Sequence, residues 1–135
     1  MHRRVLILPV IALILAFWCP FARAFTMAEK VVVANELIAI ARVPAGGLTP
    51  DRRIDEINDR LAYIIGFERL TPDNITAVMA PGGSRAIMVG RSLLMTVTPA
   101  DARANGTTVA GLTREWLQNI REILPEARPL PVMTG

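Results

Sequence analysis

The sequence predicts an α+β fold: one antiparallel sheet of about five short strands, with two long helices packed on one face, in the order ββα-βββα behind a signal peptide. Three observations predict it. Short aliphatic runs are separated by turn residues, which forces antiparallel pairing because a parallel crossover needs a dozen residues or more. Two longer segments repeat apolar residues at helical spacing, and each such stripe needs a sheet face to cover it. The first 24 residues have the layout of an export signal.

The signal comes first. Arg3 and Arg4 precede an apolar run from Val5 to Trp18, followed by Pro20 and then Ala22-Arg23-Ala24. A basic end, an apolar middle and an A-x-A site are what signal peptidase reads, so cleavage is expected between Ala24 and Phe25. The apolar run is about 14 residues, short of the roughly 20 that a spanning helix needs. An uncleaved membrane anchor is the alternative, and it is the only route by which this chain would enter a membrane. Cys19 would suit a lipoprotein only with small residues before it, and Phe17 and Trp18 stand there.

Cleavage changes the chemistry of what remains. Arg3, Arg4 and Arg23 leave, which removes the whole formal charge of +3. A formally neutral chain without a basic patch lacks the footprint of a nucleic-acid binder. The single His2 and single Cys19 leave too. Without them there is no disulfide, no zinc, copper or haem site of the usual kind, and no Ser-His-Asp or Cys-His pair. No cofactor is expected. Carboxylates alone remain for acid–base work or for a hard cation.

Residues 25–124 read as one domain and 125–135 as a loose tail carrying Pro129 and Pro131. Val31–Val33 and Leu37–Val43 flank Ala34-Asn35-Glu36 as a hairpin. Thr49 caps the first long helix, with Pro50 at its first position and Asp51 in its first turn. Ile54, Ile57, Leu61, Ile64 and Ile65 form its stripe, and Gly66 is placed to end it. Arg52, Arg53, Asp55, Glu56, Asp59 and Arg60 are assigned to the solvated face, with Glu56 and Arg60 spaced for an ion pair. Three strands follow, split by Pro81-Gly82-Gly83-Ser84 and by Gly90-Arg91-Ser92. Thr98-Pro99-Ala100-Asp101 opens a short helix as a capping box, and Asn105-Gly106 stops it in a left-handed turn. Thr107 or Thr108 then caps a helix from about Val109 to Leu124, with Trp116 anchored in the seam and Pro125 at the end. The two halves echo each other: hairpin, then a helix opened by Thr-Pro.

Three segments carry a family resemblance: "VVVANELIAI", "TPDRRIDEINDRL" and "IMVGRSLLMTVTPADARANGTTVAGLTREWLQNIREIL". Together they resemble the extracytoplasmic N-terminal domain of some bacterial, chiefly cyanobacterial, mechanosensitive channels of the small-conductance type. The resemblance covers most of residues 30–124. It implies a place outside the cytoplasm and an envelope or membrane protein as partner. The channel portion is missing after the second helix, so a free-standing exported version is expected.

No constellation of residues points to catalysis. Asp55, Glu56 and Asp59 lie on one helix face among arginines, which does not build a calcium cage. Gly82 to Arg85 reads as a turn rather than an anion cradle. Asp101 serves its helix end better than it serves a reaction. The two N-x-T triplets at Asn74 and Asn105 read as structural. The expectation is an exported, non-enzymatic binding or interaction module of the cell envelope, periplasmic or otherwise extracytoplasmic. The alternatives are a small carboxylate-dependent periplasmic hydrolase or lyase, and a membrane-anchored accessory subunit.

Overall fold

A computed structural model describes residues 29–127. The signal reading, with Ala22, Ala24 and Phe25, lies outside the described residues, as does the tail beyond Ala127. The elements are β1 (Glu29–Val33), β2 (Glu36–Ala41), α1 (Pro50–Phe67), β3 (Ile75–Ala80), β4 (Ser84–Val89), β5 (Ser92–Val97), α2 (Pro99–Ala104) and α3 (Val109–Ile123). Short 3-10 turns cover Pro72–Asn74, Pro81–Gly83 and Leu124–Ala127. Among the described residues no helix is long and apolar enough to cross a membrane.

The α+β class and the five antiparallel strands are present, but the single sheet is not. The strands form two sheets, β1-β2 and β3-β4-β5. The helices therefore share no one face of one sheet. α1 packs on β1, β2 and β5, and α3 packs on β2, β3, β4 and β5, so each helix bridges both sheets. Helices that straddle the gap make a joining ladder between the sheets unnecessary. One core runs through everything, with Val31, Ile38, Ile64, Ile87, Leu94, Leu112, Trp116 and Ile120 all buried in it.

The internal echo is real at the level of register. Every paired position of the first hairpin maps onto the second when shifted by 56 residues, from Glu29↔Ala41 onto Arg85↔Val97 through to Val33↔Glu36 onto Val89↔Ser92. Both ladders slip at the same place, after Val31 and after Ile87, leaving Ile38 and Leu94 as the extra residues of two matching bulges. A bulge turns two consecutive side chains toward one side. Hence Ile38-Ala39 and Leu94-Met95 are each buried as a pair. In the first hairpin the turn residues Ala34 and Asn35 both have positive φ, as a two-residue turn matched to strand twist requires.

Helix ends depart from expectation in two places. Thr49 holds an extended N-cap backbone but makes no side-chain bond to the helix amides. Its hydroxyl acts instead on Asp51, whose carboxyl it holds below the ordinary value. Gly66 does not stop α1; the helix continues to Phe67 and ends at extended Glu68, because Gly66 keeps a helical φ. The Asn105-Gly106 turn stops α2 as expected, with Gly106 supplying the left-handed residue at φ +64. Thr98 forms the full capping box with Asp101, and Thr108 caps α3 by accepting from the Gly111 amide. Pro125 ends the α-helix only by tightening it into the 3-10 turn, and Ala127 still packs on the core.

Two glycines give opposite predictions. A Cβ on Gly66 meets nothing within 4 Å, so Gly66→Ala should stabilise by about 0.5–1 kcal/mol in urea unfolding, the usual helical gain. At Gly90, φ is +58 and a Cβ would lie 2.5 Å from Glu68 Oε2, so Gly90→Ala should cost about 1–3 kcal/mol.

A pH prediction follows at Asp51. The Thr49 hydroxyl holds its carboxyl below the ordinary value. A depressed folded pKa stabilises above the unfolded value and loses that contribution as pH falls through the folded one. Thr49→Val should therefore raise the Asp51 midpoint in an NMR carboxyl titration, and an unchanged midpoint would contradict the assignment.

Candidate functional site

The polar centre of the molecule is an ion pair between α1 and α2. Arg53 Nη1 and Nη2 donate to Asp101 Oδ1 and Oδ2 at 2.7 and 2.8 Å, a two-pronged bond. The side chains are 9% and 0% exposed. The guanidinium also donates to the Val43 carbonyl at 2.8 Å and, at 3.4 Å, to the Thr96 carbonyl. Asp101 Oδ2 accepts from the Thr98 amide and hydroxyl as well. One arginine thus ties α1 to the end of β2, to β5 and to α2. Among the described residues no buried side-chain nitrogen or oxygen lacks a partner.

Arg53 corrects the assignment of residues 52, 53 and 60 to one solvated face. It is buried, because it lies three residues after buried Pro50 and four before buried Ile57. That spacing was the available signal, and the charge obscured it. Arg60 does meet Glu56 at 2.6 Å, both roughly half exposed, which is worth less than about 1 kcal/mol.

Beside the pair lies a groove between α1 and β5. One hollow of about 260 Å³ is lined by Leu48, Arg53, Glu56, Ile57, Leu93 and Thr96. A second of about 370 Å³ adds Tyr63, Ile64 and Ser92. Arg60 and Leu93 border both, so the two hollows lie side by side. Tyr63 stacks on exposed Phe67 at 4.8 Å, beyond the far end.

Strand parity says what else faces this groove. Val89 and Ser92 close a two-residue hairpin and so form a hydrogen-bonded pair. Allowing for the bulge at Leu94, the backbone groups of Leu93 and Thr96 point away from β4. Among the described residues β5 is an edge strand, and these groups lie on its free edge. The bond from Arg53 to the Thr96 carbonyl agrees with that assignment.

The other candidate residues have structural duties. Trp116 is in the core. Asn105 donates its amide to the Asp101 carbonyl and accepts from Arg42. Asn74 donates to the Arg69 carbonyl. Among the described residues no three His, Cys, Asp or Glu side chains gather as a metal site.

Removing one partner of the buried pair strands the other charge. Asp101→Ala and Arg53→Met should each cost about 3–5 kcal/mol in urea unfolding, and the double variant should cost less than the sum of the two.

Neither a curated protein nor a solved structure matches the chain. Residues 30–127, from β1 through the 3-10 turn after α3, match a family described as a domain of unknown function, DUF8459. With most of its length and every described element but the first residue of β1 inside that match, the chain belongs to the DUF8459 family.

Proposed function

We propose that this chain is an exported, non-catalytic interaction module of the bacterial cell envelope, which takes an extended segment of an envelope or membrane protein into the α1–β5 groove. The observation that carries the reading is the free edge of β5, with Leu93 and Thr96 turned into a trough whose other wall is α1. A strand laid between an edge strand and a helix gains main-chain hydrogen bonds from the edge and side-chain pockets from the helix. Leu48, Ile57 and Leu93 give such a segment apolar ground, while Glu56, Asp59 and Arg60 supply mixed charge at the rim. Export rests on the pattern of residues 1–24, and the membrane partner rests on the resemblance to the channel-appended domain.

The carboxylate-hydrolase alternative needs two acids to converge in a cleft. Asp101 is the one buried carboxylate among the described residues, and it faces an arginine. Glu115 is exposed on α3. The geometry therefore favours contact over turnover.

Site-specific photo-crosslinking in cells exporting the chain tests this. A probe at Tyr63 should give one discrete membrane-fraction adduct, reduced at least about tenfold by Leu93→Lys, the equivalent of roughly 1.4 kcal/mol. A probe at Val78, on the opposite edge of the sheet, should not give it. Equal labelling from both positions, or an adduct indifferent to Leu93→Lys, would sink the groove as the contact surface.

A further inference from the structure

The internal repeat is incomplete. The second half is β3-β4-β5-α3 with α2 in the connection before α3, and the first is β1-β2-α1. Under the 56-residue shift, β4 is the counterpart of β1 and β5 of β2. The helices match under a shift of 59, with buried Arg53, Ile54, Ile57 and Leu61 falling on buried Leu112, Thr113, Trp116 and Ile120. Among the described residues β3 has no counterpart. The shift from Ile75–Ala80 falls on residues 19–24, which carry Pro20 and the expected cleavage site. Proline cannot donate to a ladder.

Among the described residues, the edge of β1 that corresponds to the β3-bearing edge of β4 is therefore unpaired. In the second half that slot is filled antiparallel by β3. Arg121 of α3 there donates to the Ile75 carbonyl at 2.9 Å; under the helix shift its place in α1 falls to exposed Ala62. Parity fixes what β1 offers. Val33 and Glu36 close a two-residue turn and form a hydrogen-bonded pair, so the backbone groups of Val32 and Lys30 point outward. The edge holds one lysine and no proline, and its bulge lies in the neighbouring strand, so it is lightly guarded.

We propose that a second copy of this chain fills the slot with its own β1, antiparallel across a twofold axis, giving a continuous sheet β2-β1-β1-β2. Pairing centred on Val31 sets each Lys30 opposite the second copy's Val32. This register is self-complementary. Lys30 and Val32 share one face, Leu37 pairs with Val32 across the hairpin, and Val32 and Leu37 are 48% and 43% exposed. The aliphatic stem of each Lys30 then lies over the other copy's Val32 while its ammonium stays in water. No lysine directly opposes a lysine. The inference is independent of what the groove binds.

The test is the solution mass of the protein, expressed with its own leader and exported. Sedimentation equilibrium should give twice the chain mass at about 100 μM, a concentration that populates even weak dimers. Val32→Pro removes only an outward amide, and Val32→Lys adds a second edge charge. Each should raise the dissociation constant at least about tenfold while circular dichroism stays unchanged. Should the proline variant fail to fold, the lysine variant carries the reading. Ala77→Pro, at an outward amide on the free edge of β3, should leave the dimer intact. A wild-type monomer at that concentration overturns the proposal. So does a dimer that survives Val32→Lys or dissolves with Ala77→Pro.

Discussion

The bond between Arg53 and Asp101 is the constraint from which the rest of the architecture follows. Two sheets without a shared ladder must be aligned by something other than backbone pairing. The core supplies adhesion, but apolar contact is non-directional and tolerates small slides. A planar guanidinium held by a carboxylate at 2.7 and 2.8 Å and by the Val43 carbonyl at 2.8 Å does not. A buried pair is weak evidence for net stability, since its desolvation offsets most of its attraction. Its contribution is register: α1, the end of β2, β5 and α2 can meet in one arrangement only.

That pin is also where the internal symmetry breaks. Arg53 occupies the helix position at which α3 carries Leu112, and Asp101 sits in α2, a helix that the matching connection of the first half, three residues shorter, does not form. The asymmetry has a consequence on the surface. By holding α1 at one edge of β5, the pair sets the walls of the groove and occupies one carbonyl of the free edge, at Thr96. The groove is thus a product of the departure from symmetry, and the edge of β1 left unpaired among the described residues a product of its incompleteness.

Much of the fold could be read from residues. The two hairpins, the capping box at Thr98 and Asp101, the Thr108 cap and the Trp116 anchor all follow from local rules, and local rules act within a few residues. Sheet continuity was not legible, because short strands with good turns fix their own pairing and say nothing about the neighbouring hairpin. Arg53 was missed because charge outweighed position: its spacing from Pro50 and Ile57 puts it on the apolar stripe. Asp101 was read correctly as a cap and incompletely as a cap alone, since its partner lies 48 residues away and no local pattern names it. Gly66 was misread because glycine near a helix end usually marks a left-handed stop, whereas here it keeps a helical φ. The groove could not be foreseen either, as it depends on which strand ends a sheet.

Native-state hydrogen exchange addresses the central claim most directly. If Arg53 and Asp101 lock the halves into one unit, the most protected amides of the first hairpin and α1 should open with the same free energy as those of β4, β5 and α3. Exchange of Val31 and Ala39 through a separate, lower-energy opening, with the second half still closed, would contradict the account.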